Sequence, residues 1–586
     1  MSGPGGVPLH RRTALAAVLG GLGLAASGCL SMPESGPVVE ADGGSTSEAD
    51  PGTVAAIDAR GPEDGQSPSE VVQGFLDAMQ AFPSELATAK LFLDPDVRST
   101  WNPERTIVYA EASPPAGGTY HQRVVLTGAE ELDARGAWQG RLTGTDAVLD
   151  LDLREVDGQY RIVDPPDALV VPEEWFSQRY EQVSLYFLDS TGTDLVPEPV
   201  YVSTDEKLAT ALVSGLLAGP GKALTGVVQS MFPEGLRVDL SVPVSDGVAA
   251  VSLVGDPLAL GDEDVQRLLS QLSWTLGQGS SIQAFTLTVG GVAVRSVGGA
   301  EQIPVSSPQA DDPGYERTGS TLFGLRDGLV VAGSPGDLGA VDGPWGATPA
   351  DVREIAVSLD GLTVAGVSSG GTALRSAPLQ QAGVTRTLLT GTDLHDPHWD
   401  RLGRLWVVDS TTAGAVVRWH RSGVTGTLEV PGVSGQDVGG LLVSRDGTRL
   451  LAVVHGSRRD RLVLARVRSS AGGRPRAAVA VSDLQGDPGD LPSRLRDVAW
   501  TSETSLTVLG RPVAGSSSLV SLGVDGSPVS VSGVTTAISG SRSLLGSSVD
   551  GAGVYAVTRT GLADLSVPAR SPRTSLDGAT ALTYAG

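Results

Sequence analysis

Two stretches in the second half of the chain share one pattern and decide the fold of that half. They are Ile355-Ala-Val-Ser-Leu-Asp-Gly-Leu-Thr-Val-Ala-Gly-Val and Leu441-Leu-Val-Ser-Arg-Asp-Gly-Thr-Arg-Leu-Leu-Ala-Val. Each is typical of a strand, an Asp-Gly turn and a returning strand. Stretches that begin at Pro397 and Val498 fit the same template, as does the region around Val549.

The spacing of these turns indicates a repeat. Turn positions 361, 403, 447, 504 and 551 lie 42, 44, 57 and 47 residues apart. A period of about 40–50 residues with four strands per repeat is typical of a β-propeller. Residues 310–586 are therefore predicted to form an all-β propeller of about six blades. A pair of β-sandwiches is the alternative, but it would not impose that period.

Residues 67–178 are predicted to form a small α+β domain. Residues 67–70, Ser-Pro-Ser-Glu, are a capping box with proline at the first helical position. A second helix is expected from Leu86 to Leu93. Leu149, Leu151 and Leu153 alternate with charged residues and predict a half-buried strand, which turns at Asp157-Gly158.

Residues 180–303 are predicted to form a second α+β domain in the order β-α-β-α-β. A capping box at residues 203–206 is expected to begin its first helix, and Gly219-Pro-Gly to end it. An apolar stripe over residues 265–276 predicts the second helix, and residues 285–289 the last strand.

The first 28 residues are typical of a secretory signal. A basic segment ending in Arg11-Arg12 precedes an apolar run over 13–26, and small residues lead to Cys29. The sequence Leu-Ala-Ala-Ser-Gly-Cys resembles the lipobox of bacterial lipoproteins. This resemblance implies that Cys29 becomes an S-diacylglycerol and N-palmitoyl cysteine, which would hold the protein on the extracytoplasmic face of the cell membrane. Both Sec and twin-arginine export stay open.

The segment after Cys29 is predicted to be a flexible acidic tether over residues 29–66. Between Pro33 and Gln66 it contains eight carboxylates and a single arginine, together with many Gly, Ser and Pro residues. Such a composition cannot bury enough apolar surface to fold.

The overall composition excludes several classes of function. A net charge of −25 argues against nucleic-acid binding, which needs clustered cations to neutralise phosphates. Cys29 is the only cysteine, so the chain has no internal disulfide and no cysteine-based metal site. A hydrophobic content of 40% is sufficient for several cores.

Three kinds of motif are candidates for a chemical site, and none of them favours catalysis. Residues 219–222, Gly-Pro-Gly-Lys, lack the spacing and the Ser/Thr of a phosphate loop, and a helix stop is favoured. His395 and His398, with Asp400, could begin a metal site, but Pro397 breaks helical presentation and a polar cluster at a strand end is favoured. The other histidines after residue 29 are His121, His420 and His455. No nucleophile elbow of the Gly-x-Ser-x-Gly type, in which the serine lies between a strand and a helix, is predicted to accompany them.

The order of local motifs resembles one family. The relevant segments are Cys29-Leu-Ser-Met-Pro-Glu-Ser-Gly-Pro-Val, then residues 67–103, then Leu185-Tyr-Phe with Phe232-Pro-Glu-Gly-Leu, which is similar to a GerMN domain. With the propeller, this order resembles the LpqB lipoproteins of actinobacteria. The resemblance implies an NTF2-like or similar N-terminal domain and a GerMN domain at 180–303, and it offers no catalytic residue. No cofactor and no metal site are expected from the motifs.

The resemblance also implies a function. It predicts a non-catalytic accessory that binds the extracytoplasmic domain of the sensor histidine kinase in an MtrA/MtrB-like two-component system and modulates cell-envelope signalling. The alternative is an extracytoplasmic propeller enzyme or a protein that binds cell-wall fragments. Carboxylates and histidines that converge at the channel mouth would favour the alternative, whereas a plain apolar rim would favour the accessory.

Overall fold

The computed structural model describes residues 60–81, 86–204, 207–305, 320–484, 491–528, 537–549, 552–566 and 573–586. The predicted signal, the lipidation site Cys29 and most of the tether lie outside these residues. The described chain contains two α+β domains followed by a ring of β-sheets, as the sequence predicted.

The N-terminal domain begins at the predicted capping box. The Ser67 side chain accepts the Glu70 N–H, and the Glu70 carboxylate accepts the Ser67 N–H. The predicted strand and turn around Asp157 are also confirmed. The elements are α1 (Pro68–Ala78), α2 (Ala87–Leu91), α3 (Pro95–Arg98), β1 (Arg105–Tyr109), β2 (Glu111–Ala112), β3 (Ala116–Gly118), β4 (His121–Thr127), β5 (Glu130–Leu132), β6 (Trp138–Arg141), β7 (Val148–Val156), β8 (Gln159–Ile162), β9 (Ala168–Pro172) and α4 (Glu173–Arg179).

Two sheets and the first helices enclose one apolar core in this domain. One sheet has the order β6-β5-β1-β9, and the other has the order β2-β4-β7-β8 with β3 paired to β4. Val72, Phe75 and Leu76 project from α1 into the core, because helical spacing places them on one face.

The middle domain keeps the two predicted helices but has more strands than the predicted β-α-β-α-β order, the longest of the additional ones being β11 (Leu195–Ser203). A second strand pairs antiparallel with the first, so the domain opens with a hairpin. The elements are β10 (Tyr180–Asp189), β11 (Leu195–Ser203), α5 (Leu208–Leu217), β12 (Val228–Gln229), β13 (Arg237–Val238), β14 (Val244–Ser245), β15 (Val248–Val254), α6 (Asp262–Leu276), β16 (Ala284–Val289), β17 (Val292–Val294) and β18 (Gln302–Pro304).

The capping box predicted at Ser203 is wrong. Ser203 ends β11 and pairs with Tyr180, while α5 begins at Leu208 after Lys207 and has no side-chain cap. Residues 205–206 lie outside the described part of the chain. The predicted helix stop is confirmed, since α5 ends at Leu217 and Gly219 takes a positive φ of 81°.

The propeller consists of six sheets within the described residues. The prediction of an all-β domain over residues 310–586 needs one correction, the single-turn α7 (Pro344–Ala347). The strands, in blade order, are β19 (Leu322–Arg326), β20 (Leu329–Ser334) and β21 (Asp337–Ala340) in blade 1; β22 (Val352–Val357), β23 (Thr363–Ser368), β24 (Ala373–Pro378) and β25 (Arg386–Thr390) in blade 2; β26 (Leu394–Trp399), β27 (Leu405–Thr411), β28 (Gly414–Arg421) and β29 (Val424–Leu428) in blade 3; β30 (Val438–Val443), β31 (Arg449–Val454), β32 (Arg461–Ser469) and β33 (Pro475–Asp483) in blade 4; β34 (Leu495–Trp500), β35 (Ser505–Gly510), β36 (Ser516–Gly523) and β37 (Ala537–Ser539) in blade 5; β38 (Ser541–Leu545), β39 (Tyr555–Thr558) and β40 (Leu562–Asp564) in blade 6; and β41 (Thr580–Thr583), which joins blade 1.

The repeated Ser-x-Asp-Gly sequence has the same structure in blades 2 and 4. The Ser358 hydroxyl donates to Asp360 at 2.6 Å and accepts the Thr363 N–H at 2.9 Å. The equivalent Ser444 donates to Asp446 at 2.8 Å and accepts the Arg449 N–H at 2.9 Å. The glycine after each aspartate has a positive φ, which glycine adopts without strain. The sequence repeat is therefore a repeated turn between the inner strand of a blade and the next strand.

Each pair of neighbouring blades shares its own apolar cluster. Six such clusters lie between the six blades, and the cluster between blades 6 and 1 includes Leu322, Val331, Leu545 and Leu562. The last strand, β41, pairs antiparallel with β19, so the first blade takes its inner strand from the other end of the domain. This pairing closes the ring.

We expect removal of the closing strand to destabilise the propeller strongly. A chain that ends at Ala579 loses the ladder with β19 and the buried Tyr584 and Ala585. For a domain of this size about 1 kcal/mol corresponds to about 2–4 °C, so the melting temperature should fall by roughly 10 °C or more. Circular dichroism during heating measures this change. Thr583→Ala, which keeps the strand, should melt close to the wild type, and an unchanged truncated protein would contradict closure by β41.

Candidate functional site

The centre of the propeller is the first candidate site. A channel of about 710 Å³ runs between the inner strands, a volume in the usual range for small-molecule sites. Residues of β22, β26, β30, β34, β38 and β41 all contribute to its wall. The channel thus combines residues that are far apart in sequence.

Three carboxylates of the channel hold neighbouring blades together. Glu354 accepts the N–H of Asp396 at 2.7 Å, Asp396 accepts the N–H of Leu441 at 3.1 Å, and Asp497 accepts the N–H of Leu544 at 2.7 Å. In each pair the acceptor lies on one inner strand and the donor on the inner strand of the following blade. These inter-blade carboxylates satisfy backbone groups that the sheets leave unpaired.

Burial changes the protonation of these carboxylates. It raises the pKa of Asp497 to about 7, aided by the charge of Asp396 and opposed by the N–H groups of Leu544 and Val498. Burial also raises the pKa of Glu354, and the negative charge of Asp396 adds to the shift. The channel mouth is therefore less negative at neutral pH than its sequence suggests.

The three residues considered for a metal site have separate contacts. His395 bonds to Asp396 and to Ser410, both at 2.9 Å. Burial opposes charging of His395, but the hydrogen bond and charge of Asp396 outweigh it and raise the histidine pKa. In His398, which lines the channel, burial lowers the pKa.

Asp400 belongs to a different part of the structure. It is buried, pairs with Arg404 and accepts the indole N–H of Trp406 at 2.7 Å. In the described part of the chain, no group of three or more His, Cys, Asp or Glu side chains is placed to hold a metal ion.

The remaining motifs have structural contacts. Gly221 belongs to residues 219–222, which resemble a phosphate loop in sequence. It donates its N–H to the Glu198 carboxylate at 3.0 Å, and Arg135 donates to the same carboxylate at 2.8 Å. A carboxylate of the protein itself therefore occupies this position, and it joins the N-terminal and middle domains. His121 bonds to Asp152 at 2.7 Å, His420 to Thr425 at 3.2 Å and His455 lies 3.4 Å from Asp437.

The middle domain covers one end of the channel. Arg445, Trp500 and Ser548 line both the channel and a second space of only about 10 Å³, under Leu195 and Pro197 of β11. That space holds at most about one water molecule. The channel is therefore narrowed at this end. Its other end reaches solvent, since the exposed Arg542 and Arg559 line it.

Polar contacts attach the β10–β11 hairpin to the repeated turns of the propeller. Arg449 donates to the Pro197 carbonyl, and Arg401 lies 3.5 Å from Asp194 in a largely buried ion pair. Burial raises the pKa of Asp194 to about 7. Arg401 opposes this rise, and three nearby aspartates add to it. The turns predicted from the sequence repeat thus form the docking surface for the middle domain.

The inter-blade carboxylates were missed from the sequence, although a signal was present. Glu354, Asp396 and Asp497 each precede a repeat turn position, 361, 403 or 504, by seven residues. Alignment of the repeats by their turns would have selected these three among the 67 acidic residues.

Comparison with known proteins agrees with this domain order. Family models match residues 61–177 (Lipoprotein LpqB, N-terminal domain), 184–295 (Sporulation and spore germination) and 328–560 (Lipoprotein LpqB beta-propeller domain). The chain belongs to the LpqB lipoprotein family. It is 28% identical to Lipoprotein LpqB of Thermobifida fusca, over 81% of this chain and 84% of that protein. It is 27% identical to Lipoprotein LpqB of Streptomyces avermitilis, over 98% and 99% of the two chains.

Solved structures with similar parts include TolB from Acinetobacter baumannii, at 12% identity and a TM-score of 0.31, over 60% of this chain and 99% of that chain.

The resemblance to LpqB stated from the sequence motifs is confirmed. Membership of a lipoprotein family implies a membrane-anchored lipoprotein. Among the described residues, no helix is long and apolar enough to span a bilayer.

We expect the raised pKa of Asp497 to make stability depend on pH. The folded state binds this proton with a pKa of about 7, whereas an unfolded aspartate has a pKa of about 3.9. Between these values the folded state holds more protons, so the contribution of Asp497 to the free energy of unfolding falls as pH rises from about 4 to about 7. Asp497→Asn imitates the protonated form and removes this dependence.

Urea unfolding of wild type and Asp497→Asn at pH 5, 6, 7 and 8 measures the difference. The variant should gain stability relative to wild type as pH rises. Asp437→Asn changes an exposed carboxylate and serves as the control. Parallel pH profiles for the wild type and the Asp497 variant would contradict a raised pKa.

Proposed function

We propose that this chain is a lipid-anchored accessory protein on the extracytoplasmic face of the cell membrane. It binds the extracytoplasmic domain of an MtrB-like sensor histidine kinase and modulates cell-envelope signalling without catalysing a reaction. The absence of catalysis in this proposal is supported by the hydrogen bonds that the channel carboxylates make. Glu354, Asp396 and Asp497 accept backbone N–H groups between blades, so they are structural groups first.

A lipid anchor would allow a weak contact with the kinase to have an effect. Two proteins held on one membrane face meet at a raised effective concentration, so a contact that is marginal in solution can suffice. Binding changes the activity of the kinase only if it favours one of the conformations of the kinase. The three packed domains offer a large outer surface for such a contact.

A second candidate is the binding or conversion of a small cell-wall fragment in the channel. It is favoured by the 710 Å³ volume and by the presence of Glu354, Asp396, Asp497 and His398 in the channel wall. Turnover of a wall fragment by the lipid-free protein, lost in Glu354→Gln or Asp497→Asn variants that still fold, would replace the accessory function by this one.

We expect Cys29→Ser to release the protein from membranes or to leave it unprocessed, because a hydroxyl cannot replace the thiol that carries the diacylglycerol. Fractionation with and without detergent measures this, with Ser31→Ala as a control that keeps the thiol. A Cys29→Ser protein that is still processed and still needs detergent would contradict the anchor.

The kinase contact is tested with both proteins in one bilayer. We expect the full lipoprotein to change the rate of kinase autophosphorylation and to crosslink to the extracytoplasmic domain of the kinase. An unrelated lipid-anchored protein at the same density is the control. An unchanged rate together with no crosslink would remove the kinase-accessory proposal.

A further inference from the structure

The propeller face opposite the middle domain carries a cluster of exposed arginines. They lie on loops of blades 4 to 6, at the ends of strands away from the repeated turns that contact β10 and β11. We call this surface the arginine face. Its members are Arg458, Arg494, Arg496, Arg511, Arg542, Arg559 and Arg573.

Hydrogen bonds show that these arginines form one continuous surface. Arg494 donates to the carbonyls of Gly456 and Ser457, next to Arg458. The Arg511 N–H donates to the Arg494 carbonyl, which connects blade 5 to this group. The surface therefore crosses from blade 4 to blade 5 without a break.

The same surface continues into blade 6. Arg496 donates to the Arg542 carbonyl at 2.8 Å. Arg573 donates to Thr560 at 3.0 Å and to the Ser539 carbonyl at 3.2 Å, and Thr560 follows Arg559 in the chain. Arg542 and Arg559 also line the open mouth of the channel.

Few negative charges offset this cluster. Asp460 is buried against Arg494, and burial keeps the pKa of Asp497 near 7. Asp437, Asp483 and Asp577 are exposed acids near the face among the described residues, and Asp483 is paired with Arg461 at 3.4 Å. The sequence of the connection 485–490, outside the described residues, contains Asp487 and Asp490. Positive charge therefore predominates over this part of the propeller.

The cluster is unusual within this chain. Residues 320–586 contain 24 arginines and 23 acidic residues, whereas the rest of the chain contains 18 basic and 44 acidic residues. An extended anionic surface, such as a membrane of anionic lipids, would meet repulsion from the rest of the protein at low salt. A partner of limited area that contacts only the arginine face would not.

The arginines are also held in place. Arg494, Arg496 and Arg511 each donate to backbone carbonyls of neighbouring loops, so their remaining N–H groups have restricted directions. A fixed guanidinium favours paired hydrogen bonds to carboxylates. Attraction of basic residues to an anionic membrane instead depends on the surface potential and falls off within a Debye length, so it does not require fixed guanidinium directions.

We propose that the arginine face is the docking surface for an acidic protein, and that this protein is the extracytoplasmic domain of the sensor kinase. The second part rests on the proposed function. The contact would place the partner across the open end of the channel, because Arg542 and Arg559 belong to both.

The test uses charge reversal at two exposed positions outside the hydrogen-bond network described above. The variant Arg458→Glu/Arg559→Glu alters the arginine face. The control Arg386→Glu/Arg474→Glu makes the same charge change at exposed positions at the opposite ends of the blade strands. Both are made in the full lipoprotein, and matched melting temperatures show that both fold.

Three probes separate the outcomes: the extracytoplasmic domain of the kinase, polyglutamate, and vesicles with 30% phosphatidylglycerol. Vesicles without anionic lipid are the reference for the third probe, because the Cys29 lipid inserts into both kinds of vesicle. We expect the face variant to bind the kinase domain and polyglutamate at least tenfold more weakly than wild type, and the control to stay within twofold. Added salt should weaken wild-type binding. If the wild type does not bind the kinase domain, the proposed function fails, but loss of polyglutamate binding in the face variant alone still supports an acidic protein partner.

Two results would overturn the inference. One is that the face variant and the control bind the kinase domain equally well and also bind polyglutamate equally well. The other is a result in which the wild type binds neither protein probe but prefers anionic vesicles to the reference vesicles, and in which the face variant loses this preference while the control keeps it. That result would assign the surface to anionic lipid. Kinase binding that both variants retain would leave the proposed function standing with a different contact surface.

Discussion

The pairing of β41 with β19 is the constraint on which the propeller depends. Each blade packs its apolar side chains against two neighbours, so an open ring would expose the faces of its first and last blades. Closure by an inner strand from the far end of the domain removes both exposed faces in one step. It also fixes the positions of all six inner strands, and with them the shape of the channel.

Closure explains why charged groups are tolerated in the channel wall. Inner strands that converge around an axis leave backbone N–H groups facing the next blade, and a buried N–H without a partner is costly. Glu354, Asp396 and Asp497 supply acceptors at three of these junctions. Desolvation of the carboxylates is the cost, and it is visible as the raised pKa values of Glu354 and Asp497. The same residues would otherwise suggest an active site.

The features that the sequence predicted are local ones. The capping box at Ser67 and the Ser-x-Asp-Gly turns are set by residues within five positions, so their hydrogen bonds could be inferred without the fold. Strand β11 was missed because Pro197 and Pro199 argue against a strand. It is an edge strand, where a missing N–H costs little. The channel carboxylates bond to residues about 45 positions away, which only the ring brings near.

The arrangement of the domains decides which propeller surface is left for a partner. The turns of blades 3 to 5 are in contact with the β10–β11 hairpin, through Arg401, Arg449 and Glu503. The opposite end keeps the channel mouth and the arginine face together, with Arg542 and Arg559 common to both. A contact on this face and a ligand in the channel would therefore compete for the same opening. An accessory protein and a channel-binding protein are then not independent functions of this fold, since occupation of the mouth by one partner excludes the other.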